Sequence, residues 1–130
     1  MNIQTHQAID RRLCGEPIAL AEGFARVRLT TVDAMAADAA GLVHGGFLFG
    51  QADYAAMLAV NHPHVVLGAA EVRFLKPVRV GAVLEAEARV TAAEGKKRVV
   101  AVAVRREGEA VLEAVCTCFV LPRHVLDAPA

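Results

Sequence analysis

The sequence predicts an α+β domain in which one long, apolar helix is wrapped by an antiparallel sheet of about five strands. Three observations carry this expectation. Residues 46 to 60 are rich in strong helix formers and contain no proline. From residue 65 onward the chain falls into strand-like segments. Two of the connections between those segments have hairpin length, so neighbouring strands should run antiparallel. At 130 residues the chain suffices for one core, and residues 1–130 read as a single domain without repeats or linkers.

In order, residues 4–14 read as a short amphipathic helix, with Ile9 and Leu13 spaced by four, stopped by "GEP" at 15–17. Residues 18–31 alternate, with Leu20, Ala25, Val27 and Leu29 against Glu22, Arg26 and Arg28, and predict one strand bent at Gly23. "DAMAADAAG" is a loop. The helix from Gly46 to Val60 should be about 20 Å long at 1.5 Å per residue. Being apolar on nearly every side, it should be central and buried, and "NHPH" ends it. Strands follow at 65–76, 83–94, 97–107 and 109–121, separated by "KPVRVG", "EGK" and "REGE". In 97–107, Val99, Ala101 and Ala103 alternate with Val100, Val102 and Val104, which predicts a central strand covered on both faces.

Composition removes several classes of function. Lys+Arg and Asp+Glu both number 14, and no block of like charge suggests a nucleic-acid or membrane-surface partner. The apolar runs are too short to cross a bilayer, and "MNIQTHQAIDRR" lacks the apolar core of a signal peptide, so a soluble, cytoplasmic protein is expected. Cys14, Cys116 and Cys118 are odd in number, and C-x-C is neither a zinc-knuckle nor a thioredoxin-type spacing. They read as small buried residues. His62 and His64 flank Pro63 without accompanying carboxylates or thiols, so no metal site is expected.

The chemistry concentrates in "GLVHGGFLFGQADYAAMLAVN", residues 41–61, where Asp53 interrupts an apolar helix. At 3.6 residues per turn, Gly46, Phe49, Gly50, Ala56, Met57 and Val60 share its side. Gly50 costs about 1 kcal/mol relative to alanine, and burying an unpaired carboxylate costs about several more. Stability alone would favour neither residue. The bland alternative is that Asp53 reaches a backbone or arginine partner across an interface while Gly50 permits close packing on the sheet. "HGG" at 44–46 also has two readings. The glycines ease a tight loop-to-helix transition, or the unused amide of Gly45 or Gly46 stabilises an oxyanion at the positive end of the helix. Arg73, Lys76 and Arg79, and Lys96, Lys97 and Arg98 at a hairpin tip, are candidates to meet phosphates beside their ordinary role as a solvated surface.

"GLVHGGFLFGQADYAAM", followed by "EVRFLKPVRVGAVLEAEARV", resembles the hotdog-fold acyl-CoA thioesterases, in particular their phenylacetyl-CoA-type branch. The likeness runs from about Asp38 to Leu121. It implies a hotdog fold acting as a homodimer or homotetramer, with active sites at subunit interfaces. It implies an acyl-CoA or acyl-carrier thioester as substrate, with coenzyme A entering only as part of that substrate and no metal or redox cofactor. The family's acidic residue, nine positions after the motif histidine, falls on Asp53, as general base or nucleophile. Its oxyanion amide falls on Gly45, with Gly46 beside it. His44 matches the motif histidine and is expected to shape the turn. Phe47, Phe49, Tyr54 and Met57 are candidate acyl-chain walls, and Arg73 and Lys76 candidate substrate contacts.

The chain also departs from the family. Asp38 stands where asparagine is frequent, and "VVLGAAEV" lacks the hydroxyl often present at the start of the next strand. The run "LFGQAD" is also similar to the acyl-sensing hotdog domain of fatty-acid synthesis repressors, which implies a non-catalytic acyl-CoA binding protein as the alternative. A hydratase of the same fold is less well matched, since no Asp/His pair has the spacing such enzymes use.

Overall fold

The computed structural model describes residues 1–127. A short helix α1, Arg11–Cys14, precedes a hairpin of β1, Glu16–Ala21, and β2, Phe24–Thr30. A loop with a 3₁₀ turn at Asp33–Met35 leads into the long helix α2, Gly45–Val60. Four strands follow: β3, Val65–Phe74; β4, Val83–Glu94; β5, Lys97–Arg106; and β6, Glu109–Val120. All six strands form one sheet in the order β1-β2-β4-β5-β6-β3, every neighbouring pair antiparallel.

The sheet curls around α2. Ala25, Val27 and Leu29 of β2, Leu84, Ala86 and Ala88 of β4, Val100, Val102 and Val104 of β5, and Ala114, Cys116 and Cys118 of β6 turn inward at alternate positions and are buried. Against them lie Leu48, Ala52, Ala55, Ala56, Met57, Leu58 and Ala59 of α2. Nine of the helix's residues are buried, which explains why its sequence is apolar on nearly every side. The helix ends at Asn61, whose left-handed φ of 51° lets its N–H bond the Met57 carbonyl. At the β5–β6 turn, Glu107 and Gly108 both take positive φ, 49° and 81°, the twist a two-residue hairpin requires.

The long helix, the antiparallel sheet and strands 65 to 121 match the sequence expectation, with small shifts at element ends. Three expectations are corrected. The helix expected over 4–14 is confined to Arg11–Cys14: His6 takes a left-handed φ of 53°, and Asp10 caps the short helix by accepting from the Arg12 N–H at 2.9 Å. The strand expected over 18–31 is two, because Gly23, at φ 69°, reverses the chain completely, giving six strands instead of about five. Finally, β5 is central but covered by the helix on one face only. On the other face Ala101 is exposed and Ala103 half-buried, a two-sided apolar pattern without a second layer over it in this chain. Ala128, Pro129 and Ala130, part of the expected 1–130 domain, lie outside the described residues.

Candidate active site

The site begins in the loop before α2. Asp38 Oδ1 accepts from the Ala40 and Leu42 N–H groups at 3.0 and 3.1 Å, an arrangement that curls the loop on itself. Val43 N–H bonds the Val78 carbonyl and His44 N–H the Met35 carbonyl, fixing the entry into the helix. His44 is the N-cap. Its Nδ1 accepts from the Gly46 N–H at 2.8 Å, which places the proton of a neutral ring on Nε2. The two glycine amides therefore differ. That of Gly46 is consumed by the cap, whereas Gly45 is the first helical residue, and no hydrogen bond claims its N–H among the described residues. The Phe74 ring covers this spot so closely that a Cβ on Gly45 would lie 3.0 Å from Cε1.

Two turns further along, Asp53 is partly buried, and its Oδ1 is enclosed without a hydrogen-bond partner among the described residues. Among the described residues no arginine or lysine pairs with it. Burial pushes its pKa above the ordinary carboxylate value, and the neighbouring His6 pulls the other way. Beside it, a Cβ built on Gly50 meets no atom within 4 Å. That glycine is not required by packing against the sheet in this chain, and open space adjoins the carboxylate. The cysteines that feel Asp53 are poor nucleophiles. Burial raises the Cys14 thiol, and pushes Cys116 up to about 11 and Cys118 up to about 12, with the Asp53 charge adding to each.

The remaining residues singled out in the sequence are dispersed. Tyr54 and Met57 are among the largest fully buried side chains and belong to the core, while Phe47 and Phe49 are half-buried on the helix's first turns. Arg73 alternates away from α2 onto the outer face of the sheet. There, with Glu71, Arg89, Arg105 and Glu113, it lines a concavity of about 760 Å³ floored by Ala101 and Ala103. Its volume does not mark the reacting centre, because the sheet separates it from Asp53. Lys76 is exposed in the loop after β3. Two neighbours went unassigned in the sequence: His6, which lies outside every recognisable motif, and Phe74, the aromatic that closes its strand. Among the described residues no cluster of His, Cys, Asp or Glu could hold a metal, and no helix is long and apolar enough to cross a membrane.

A long helix enclosed by a curled antiparallel sheet, with a capped glycine turn at its start and a carboxylate within it, is the hotdog architecture of acyl-thioester enzymes. Residues 40–113, more than half of the chain, match the thioesterase superfamily, and the chain belongs to it. In structure it is similar to the uncharacterized protein PH1136 from Pyrococcus horikoshii, with 57% identity, 98% of each chain covered and a TM-score of 0.96. A mutant of the phenylacetic acid degradation protein PaaI from Thermus thermophilus is 31% identical, with 84% of this chain and 95% of that one covered and a TM-score of 0.78. In sequence the chain is 52% identical over 113 residues to methylthioribose-1-phosphate isomerase from Aquifex aeolicus, covering 87% of this chain. It spans only 25% of that relative's length.

Proposed function

We propose that the protein hydrolyses acyl-CoA, or an acyl-carrier thioester, to a free acid and a thiol. The observation that carries this reading is the Asp53 carboxylate: half-buried, unpaired, its pKa raised by burial, and set beside open space at Gly50 in a chain of the thioesterase superfamily. A carboxylate in this state suits a general base that takes a proton from water, or a nucleophile that attacks the thioester carbon directly. The Gly45 N–H, at the positive end of α2, would receive the charge that develops on the carbonyl oxygen. The phosphates of coenzyme A would meet basic surface residues, for which Lys76 remains a candidate.

Distance along the helix argues for more than one subunit. Gly45 and Asp53 of one chain are eight residues apart, about 12 Å of helical rise, too far for one carbonyl to touch both. A carbonyl held at Gly45 of one protomer would therefore meet Asp53 of another, and we propose a homodimer, alone or within a homotetramer, with its sites between subunits. β3 supports this. It is the last strand of the sheet, and its outer edge, with the three small residues Gly68, Ala69 and Ala70 exposed at mid-strand, is available to pair with a second copy.

The test is thiol release from short, long and aryl acyl-CoAs by the native protein and by Asp53→Asn. The native protein should turn over at least one of them, and the variant should lose about 10²-fold or more of that rate while remaining folded. Equal rates would remove Asp53 from the mechanism. The absence of any hydroxyl between Val65 and Val72 favours a second reading, an acyl-CoA binding protein that does not hydrolyse. Tight binding with no thiol released from any of these substrates would select it.

A further inference from the structure

The outer face of the sheet carries its charges in rows that run across the strands. In one row Glu87 of β4, Ala103 of β5, Glu113 of β6 and Arg73 of β3 are successive cross-strand partners. In the next, Arg89, Ala101, Val115 and Glu71 follow in the same strand order. Strands β4 and β3 therefore bear opposite charges in each row, and the sign alternates from one row to the next. Between these two walls the floor is low, with Ala101 and Val115 exposed and Ala103 half-buried.

The β4 wall is already ordered. Glu87 accepts from Arg26 at 3.1 Å and from Arg89 at 3.0 Å, and the Arg89 guanidinium stands 4.5 Å from the centre of the Phe24 ring. A carboxylate offers about four acceptor sites, so Glu87 keeps capacity for a further donor. The β3 wall is unspent. Among the described residues Glu71 and Arg73 form no ion pair, and neither does Glu113, although it stands directly across from Arg73. With Arg105 included, three arginines and three glutamates line the concavity, which leaves no net charge to select a small ion. What the pattern matches is itself.

We propose that the outer face of the sheet is an interface with a second copy of this chain, related by a two-fold axis that runs along the strands between β5 and β6. That axis exchanges β4 with β3 and β5 with β6 while keeping the rows level. Glu87 then meets Arg73 and Arg89 meets Glu71, each contact occurring twice because a two-fold interface repeats it. Ala101 comes opposite Val115, and Arg105 lies one row along from Glu113 of the other copy. Sheets stacked in this way run nearly aligned, and small residues at the centre let them approach closely. The second sheet supplies the layer that the apolar outer positions of β5 lack within one chain. A partner of different sequence would require no such self-matching order of charges.

The interface rests on neither the hydrolase reading nor pairing at the β3 edge, which it leaves uncovered. The test is the mass of the protein in solution, measured by sedimentation equilibrium on the native chain and on variants whose circular dichroism is native. The native protein should contain at least two chains, and four where β3 edges pair as well. Glu87→Arg together with Arg89→Glu keeps the net charge and lies away from the β3 edge, but sets like charges together in all four contacts. It should halve the native mass. Adding Glu71→Arg and Arg73→Glu to that variant makes the charges opposite again across the axis and should restore the mass. A monomeric native protein, an unchanged mass in the first variant or no recovery in the second overturns the proposal. A native protein of two chains that the first variant separates upholds the face and removes the β3 pairing; two chains that it leaves together uphold the β3 pairing and remove the face.

Discussion

A half-buried carboxylate without a partner weakens the fold that carries it, and at Asp53 this tension has a measurable sign. Its folded pKa is raised by burial, so the folded state binds a proton more tightly than the unfolded chain does. The penalty is therefore absent below the ordinary carboxylate value, about 3.9, and fully present above the raised folded value. Native stability should decline as pH rises through that window. Asp53→Asn, which cannot ionise, should melt higher than the native protein at pH 7, on the order of a few degrees for a domain of this size. The gap should close as the pH approaches 4. Calorimetry across pH checks this, and a variant that melts lower at pH 7 would mean that the carboxylate has a stabilising partner. Together with lost turnover, a gain in stability would mark Asp53 as a residue kept for chemistry.

At the scale of the element, the start of α2 separates two glycines that the sequence presents as a pair. Gly45→Pro removes the one free N–H while suiting the position. Proline is favoured at the first helical residue, and His44 before it already holds the extended conformation that proline demands, φ −62° and ψ 131°. The substitution should leave the melting temperature within a few degrees, with the Phe74 ring shifting slightly, and should reduce turnover about 10²-fold or more. Gly50→Ala tests the space beside Asp53. The new methyl meets nothing in the chain, so it should add about 1 kcal/mol of stability through helix propensity. If ligand or partner uses that space, kcat/KM should fall in the same protein; unchanged kcat/KM would show the space to be idle. The helix was legible because propensity and apolarity agree over sixteen residues. The roles of its two glycines were not, since the partner of each amide depends on the His44 ring and on Phe74, a strand away. The hairpin before α2 was read as one strand for a similar reason: Gly23 announces a bend, but only pairing between Leu20 and Ala25 or Ala21 and Phe24 shows that the chain turns back.

Across the whole molecule, the alternation of β5 foretold its central place but overstated its cover, because a run apolar on both faces does not say whether the second covering layer comes from the same chain. His6 was unreadable for the opposite reason. Its place 6.4 Å from the Tyr54 ring depends on a segment that Asn61 holds through the Gln4 N–H and the Asn2 carbonyl, contacts with no counterpart in periodicity or spacing. The family pattern puts its acidic residue and its glycine amide on one helix, at Asp53 and Gly45, by local sequence alone, while Arg73, equally prominent in the sequence, was carried to the far side of the sheet by strand alternation.

The 12 Å of helix between amide and carboxylate has a consequence for mixtures. Take one preparation dead through Asp53→Asn and another dead through Gly45→Pro, then let them exchange chains. On the proposed two-subunit site, each hybrid pair would hold one centre with both lesions and one with neither. Two inert proteins should thus regain turnover on mixing, up to about a quarter of the native rate if chains assort at random. Were each chain to build its own centre, no proportion of the two would revive it.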